Sequence, residues 1–170
     1  MTSVRKTSPP DAPGILRLAA AEPLFAREDR EVVEELLLDY LQEDEPGDYR
    51  FLTAIDAGRV VGFACYGPTP LTRGTFDLYW ICVSPRSRRR GYGKALLRGV
   101  IRGVRGEGGR LIVLDTSARP SFAPTRAFYE AAGFTPTIRV PGFYGARDDL
   151  MMYYFPVEPK RRRRPSRAGR

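Results

Sequence analysis

Histidine is absent from this 170-residue sequence, so imidazole serves here neither as base, nor as nucleophile, nor as metal ligand, and no metal site is expected. Cysteine occurs only as Cys65 and Cys82. Both lie in apolar runs, where small buried thiols are the ordinary outcome, and free thiols point to a cytoplasmic home. No apolar run approaches the roughly 18 residues that a membrane span needs, and residues 1 to 14 lack the apolar stretch of a secretion signal. Neither a membrane partner nor a secreted disulfide scaffold is therefore expected.

Acidic residues are missing from one stretch. From Pro159 to Arg170 the chain carries seven basic residues and no acid, whereas the remainder holds 21 basic against 20 acidic residues, so the net charge of +8 belongs to a tail and not to a fold. Such a run cannot bury enough surface to order itself. It reads as a solvated extension or as a weak contact for nucleic acid or another anionic surface.

What is present is an ordinary globular composition, 42% hydrophobic with nine Phe and nine Tyr. This length suits one domain and leaves no room for a second catalytic one. The expected division is a flexible leader at 1–13, a single domain at 14–157 and a disordered basic tail at 158–170. Along the chain, Ile15 to Ala21 reads as a first strand. A helix capped by Asp29 follows, with Val33, Leu36, Leu37, Tyr40 and Leu41 at helical spacing. Residues 50–55 and 59–66 form a hairpin pattern about Asp56 to Gly58. Phe76 to Val83 is apolar on both alternating faces, as a central strand requires. A helix over 92–104, a strand over 110–114, a helix over 121–132 ended by Gly133, and strands over 134–140 and 150–155 complete the pattern. This alternation predicts an α/β (α+β) fold with a mixed, mainly antiparallel sheet of six to seven strands and helices on both faces.

The strongest chemical signal is Arg88, Arg89, Arg90, Gly91, Tyr92, Gly93 and Lys94, set between a buried strand and an amphipathic helix. Glycines let the backbone turn so that consecutive N–H groups and a helix N-terminus converge on one anion, with arginines at the rim. A pyrophosphate is the natural ligand. A Walker P-loop is excluded, since Arg88 stands where its first Gly belongs and Ala95 where its Ser or Thr belongs. A dinucleotide fingerprint fails at Leu96, although Asp115 meets its acidic requirement.

Arg88-x-x-Gly91-x-Gly93, preceded by Val83-Ser-Pro85, resembles the signature of the GNAT superfamily of N-acetyltransferases. Thr125 to Phe134 is similar to that family's helix ending in Phe-Tyr-x-x-x-Gly-Phe. The resemblance covers about residues 15 to 157. It implies acetyl-CoA as the acyl donor, its pyrophosphate on residues 88 to 94, and its pantetheine arm on the backbone of Ile81, Cys82 and Val83. It also gives Tyr129 the role of general acid. A phenol of pKa about 10 remains protonated at neutral pH and can protonate a departing thiolate.

A base must also deprotonate the amine. Asp77 is the first candidate, because it interrupts the apolar strand and matches the position where many relatives carry a catalytic Glu. Asp115 is the second, and a turn-forming role for it stays open. Cys82 is a poor acyl carrier, since alternation turns it to the face of Trp80. The loops at 67–74 and 141–149 are expected to select the acceptor, with Asp148 and Asp149 attracting a cation and Phe143 and Tyr144 flanking it. Acceptor identity, acyl chain length and a homodimer all stay open. So does a binding module, for acyl-CoA or near nucleic acid, on the same fold without catalysis.

Overall fold

Between β1 (Ser3–Lys6) and the rest of the chain, residues 12–21 choose helix over strand. The computed structural model describes residues 3–42 and 47–158. In it α1 (Ala12–Ala21) replaces the expected first strand. Ala and Leu are the strongest helix formers, and Ile15, Leu18 and Ala19 fall on one buried face while Arg17 points outward. The Arg that interrupts the apolar run marks helical periodicity, not a strand end.

The expected leader is likewise built into the fold over residues 3–13. β1 pairs antiparallel with β2, from Ser3 opposite Ile55 to Lys6 opposite Leu52. A short 3-10 turn at Pro9–Asp11 then leads into α1. Asp11 locks this corner, accepting from Arg5 Nη1 at 2.7 Å and Nη2 at 2.8 Å and from the Ser8 amide at 2.9 Å. Burial alone would raise its carboxyl, but the hydrogen bonds from Arg5 and Ser8 outweigh it and hold the group below its ordinary value. The proposed tail from 159 onward lies outside the described residues.

α2 (Arg27–Gln42) follows, and Asp29 sits inside its first turn, not at its cap: its carboxylate reaches back to the Ala26 amide at 2.7 Å. β2 (Arg50–Asp56) and β3 (Arg59–Pro68) form the expected hairpin, with Ala57 and Gly58 both at positive φ in the two-residue turn. β4 (Thr75–Val83), α3 (Tyr92–Gly106), β5 (Leu111–Ser117) and α4 (Ala123–Ala131) also agree with expectation. The expected loop at 141–149 is instead a continuous hairpin, since β6 (Thr135–Gly145) and β7 (Asp148–Pro156) run to within two residues of one another. An irregularity between Val140 and Gly145 gives β6 extra residues there and leaves Phe143 and Tyr144 exposed.

The seven strands lie in the order β1-β2-β3-β4-β5-β7-β6. Every neighbouring pair is antiparallel except β4 with β5. One face is covered by α1 and α2, whose Ile15, Val33 and Leu37 meet Phe51, Phe63, Cys65 and Cys82. The other is covered by α3 and α4, whose Leu96, Val100, Val104 and Tyr129 meet Ala64, Leu78, Ile112 and Tyr153.

Two features break the regularity of β4. Cys65 faces Trp80 but Tyr66 faces Leu78, so Tyr79 is an extra residue, a β-bulge. The parallel ladder to β5 holds for Thr75, Phe76 and Asp77 only, opposite Leu111, Ile112 and Val113. Beyond Asp77 the two strands continue without pairing, and the sheet forks.

Replacing Asp11 by Asn should destabilise the chain by about 1–3 kcal/mol, the range for hydrogen bonds to a charged group. Because the folded carboxyl is depressed, the loss should be full above about pH 4 and fade as the pH falls below it. Urea titrations at pH 7 and pH 3 check both statements.

Candidate active site at the strand fork

The chain leaves β4 at Val83 through a 3-10 turn, with the Ser84 amide donating to Val61 O at 2.9 Å and the Ser87 amide to Ser84 O at 2.8 Å. Arg89 at φ 62 and Gly91 at φ 87 then occupy the left-handed region and turn the backbone into α3. The first intrahelical bond near this end runs from the Ala95 amide to Gly91 O at 3.0 Å, and Gly91 brings no side-chain cap. The amides of Gly93 and Lys94 therefore have no helical acceptor and lie at the positive end of the helix dipole. That is an anion cradle made of backbone, and it fits a diphosphate.

Gly93 has a different task from the one its spacing suggests. Its φ is not positive, and a Cβ there would lie 3.3 Å from the Phe128 ring, so its bareness lets α4 approach the start of α3. The side chains around the cradle are also partly committed. Arg88 Nη2 donates to Glu22 Oε2 at 2.6 Å, and Arg90 reaches Asp56 at 3.2 Å while lying over the Tyr92 ring at 5.4 Å. The Tyr92 hydroxyl and Arg90 keep the Asp56 carboxyl below its ordinary value. The Tyr92 ring is buried in the core, and its hydroxyl bonds the Asp56 carboxylate. Among the described residues Arg89 and Lys94 are exposed and without an ion pair.

At the fork, Ile81 and Val83 lean on the α3 and α4 core, while Cys82 is 4% exposed on the opposite face with Trp80 packed nearby. Burial, with the Glu22 charge beside it, pushes the Cys82 thiol up to about 12, which leaves it un-ionised at neutral pH. The side of β4 facing β5 carries no strand partner here, so its main-chain amides and carbonyls can bond an amide-bearing ligand laid along it.

Tyr129 stands on the helical side of the fork, 6% exposed among Phe128, Phe134 and Tyr153. Burial, and then the Asp115 charge, raise its phenol well above the ordinary value, so it is a fully protonated donor. Among the described residues no fully buried side-chain oxygen lacks a partner. The Tyr129 hydroxyl makes no hydrogen bond among the described residues, and so it is not fully sealed.

Asp77 and Asp115 lie on the other side. Phe76 and Leu78 point to the α3 and α4 core, which turns Asp77 toward the α1 and α2 face. Ile112 and Leu114 do the same for Asp115. Burial raises the Asp77 carboxyl, a hydrogen bond from Thr69 Oγ1 at 2.7 Å lowers it, and the Asp115 charge raises it, with a net upward shift. Thus both base candidates are brought together, and Asp77 senses the Asp115 charge. The Tyr144 hydroxyl donates to Asp115 Oδ2 from the irregular end of β6.

Asp148 and Asp149 are not free to hold a cation. Asp148 is paired with Arg119 at 3.1 Å and accepts from Ser117, and Asp149 is paired with Arg139 at 2.7 Å and accepts from the Gly142 amide. Tyr79, pushed outward by the bulge, meets the Tyr49 ring edge-on at 5.7 Å and supplies an aromatic wall close to Asp77. Sequence reasoning missed Glu22, Thr69 and Tyr49. Thr69 was visible only as one polar residue of a loop, and Glu22, next to Pro23, carried no signal beyond its charge.

A mixed sheet forked beside an uncapped helix N-terminus, with a buried phenol and two carboxylates on either side of the gap, can receive an anion at one end and a cation at the other. Residues 14–134 match the acetyltransferase (GNAT) family model, and the chain belongs to that family. A GNAT-family protein from Desulfovibrio desulfuricans is 40% identical, with TM-score 0.89 over 93% of this chain and 100% of that one. Two more distant structures share the fold. The ribosomal-protein-S18-alanine N-acetyltransferase of Escherichia coli has TM-score 0.75 at 20% identity over 93% of this chain and 95% of its own. An aminoglycoside 6'-N-acetyltransferase complexed with coenzyme A has TM-score 0.72 at 18% identity over 93% and 98%. No curated protein sequence matches the chain.

Neither thiol should react with iodoacetamide at pH 8 in the folded protein, since Cys65 and Cys82 are buried and raised. Both should label rapidly in urea. Fast labelling of folded Cys82, followed by peptide mass spectrometry, would overturn its placement.

Proposed function

We propose that this protein is an acetyl-CoA-dependent N-acetyltransferase that moves the acetyl group to a primary amine within a ternary complex. The observation that carries the proposal is the fork itself, which puts a protonated phenol and a carboxylate of raised pKa on opposite sides of one gap beside an anion cradle. Bound acetyl-CoA would supply the thioester. Its diphosphate would lie on the amides of Gly93 and Lys94, with Arg89 and Lys94 as free cations nearby, and its pantetheine arm along Ile81 to Val83.

Asp77 takes a proton from the incoming ammonium, directly or through a water. The freed nitrogen lone pair forms the C–N bond, the C–S bond breaks, the departing thiolate takes the Tyr129 proton, and the second proton shed by the new amide nitrogen restores the phenol through water. Main-chain N–H groups of β4 hold the transient oxyanion. Asp115 adds negative charge on the acceptor side, and Tyr79 and Tyr49 offer ring faces to a cation. The S18-alanine and aminoglycoside enzymes named above acetylate amines, which supports an amine acceptor here. No described helix is long and apolar enough to cross a membrane, and we place the reaction in the cytoplasm.

An amine panel with thiol-release detection tests the reading; coenzyme A binding without turnover of any amine would convert it to a binding module. In the active enzyme, Tyr129→Phe should lower kcat about 10²-fold with little change in coenzyme A affinity, the usual yield of one general acid.

The parent's kcat/KM should rise with pH through a carboxyl titrating above the ordinary Asp range, following the upward shift of Asp77. In Asp77→Asn that limb should vanish. A variant profile superimposable on the parent's would remove Asp77 from the chemistry and leave Asp115 as the base.

A further inference from the structure

The carboxylate of Glu22 is a charged group buried beside the 84–91 turn on the far side of the sheet. It is 5% exposed, at the C-terminal end of α1. Its two oxygens have three partners: Oε1 accepts from the Leu24 amide at 3.3 Å, and Oε2 from Arg88 Nη2 at 2.6 Å and, more weakly, from the Cys82 thiol at 3.9 Å. Arg88 in turn directs Nε at Val83 O, 3.4 Å away. The guanidinium therefore bridges the last residue of β4 to the α1 end. One residue later the backbone enters the left-handed region at Arg89, φ 62, with no glycine to relieve it. A non-glycine residue held there is strained and persists only when its surroundings fix it.

We propose that Glu22 is a positioning residue for the diphosphate cradle. Acting through Arg88, it clamps the 84–91 turn in the strained form that presents the amides of Gly93 and Lys94. Arg88 thereby serves the loop's shape and is not itself a phosphate ligand. The inference rests on the assignment of coenzyme A to the start of α3. It adds a residue from a distant segment and changes the task of the motif's leading arginine. A turn that spends part of its time relaxed binds ligand in proportion to the competent fraction, so loss of the clamp appears as lost affinity.

Glu22→Gln retains shape and the bond from Leu24 while removing the charge. Calorimetry with coenzyme A should show Kd raised about tenfold, and acetyl-CoA KM should rise more than kcat falls. Arg88→Met should raise Kd similarly, and the double variant should be no weaker than either single one. The discriminating comparison is at residue 89. Arg89→Gly and Arg89→Ala lose the same charge, but only glycine accepts positive φ freely. In the parent the two should bind coenzyme A alike; in Glu22→Gln the glycine variant should bind several-fold tighter.

A parent-like Kd for Glu22→Gln, additive effects, or equal behaviour of Gly and Ala at 89 in both backgrounds would overturn the clamp. A folded variant of lowered melting temperature but unchanged Kd would also overturn it, reducing Glu22 to a stabilising residue. If the parent itself binds no coenzyme A, the assignment of the cradle fails, and amide exchange judges the clamp alone. Faster exchange at 88–94 in Glu22→Gln sustains it, and unchanged exchange refutes it.

Discussion

The site exists because β4 and β5 part company after three paired residues. A parallel pair needs a long crossover, supplied here by α3, and this crossover starts from the same strand end that carries the phosphate turn. Beyond Asp77 the two strands are not paired with one another, although each still presents backbone polar groups that need partners. The bulge at Tyr79 works with the fork by redirecting β4 just past Asp77. In the proposed reading, a ligand with its own amides completes the interrupted ladder, and its end lies beside Asp77, Asp115 and Tyr129. Opening a sheet in its interior thus turns a folding cost into a binding site.

The sheet also separates charge. At the end of β4, the dipole of α3 and two unpaired cations, Arg89 and Lys94, favour an anion. At the fork's other side, Asp77 and Asp115 favour a cation, and burial of the first keeps its proton affinity high. A phenol raised by burial needs no base to stay protonated, while a carboxylate raised by burial becomes a better proton acceptor. The same physical cause, removal from water, suits the two groups to opposite tasks.

Much of this was legible in the sequence. Helix and strand periodicity from Arg50 to Ala131 gave the central elements, and the two motifs placed both sides of the fork. Residues 3–21 were misread because Ala-rich apolar helices and short buried strands look alike when one Arg is taken as an interruption. β6 was cut short because Pro141 and Gly142 punctuate like a loop, whereas an edge strand tolerates both. Gly93 was assigned to a turn because its partner, Phe128, lies in another helix. Asp148 and Asp149 looked available because their arginines, Arg119 and Arg139, are set by hairpin and helix geometry that no local pattern reports.

The arginines show the same lesson on a larger scale. Arg5, Arg50, Arg88, Arg119 and Arg139 each bridge to a carboxylate elsewhere in the fold. Each pair ties a loop or an element end to another segment of the fold, so together they fix where loops lie. A basic motif counted by charge alone therefore overstates what reaches a ligand. At the turn before α3, Arg88 and Arg90 are already paired, and the groups left without a helical acceptor are the main-chain amides of Gly93 and Lys94. In the proposed reading, recognition there depends on backbone shape, and side-chain charge acts chiefly by holding that shape.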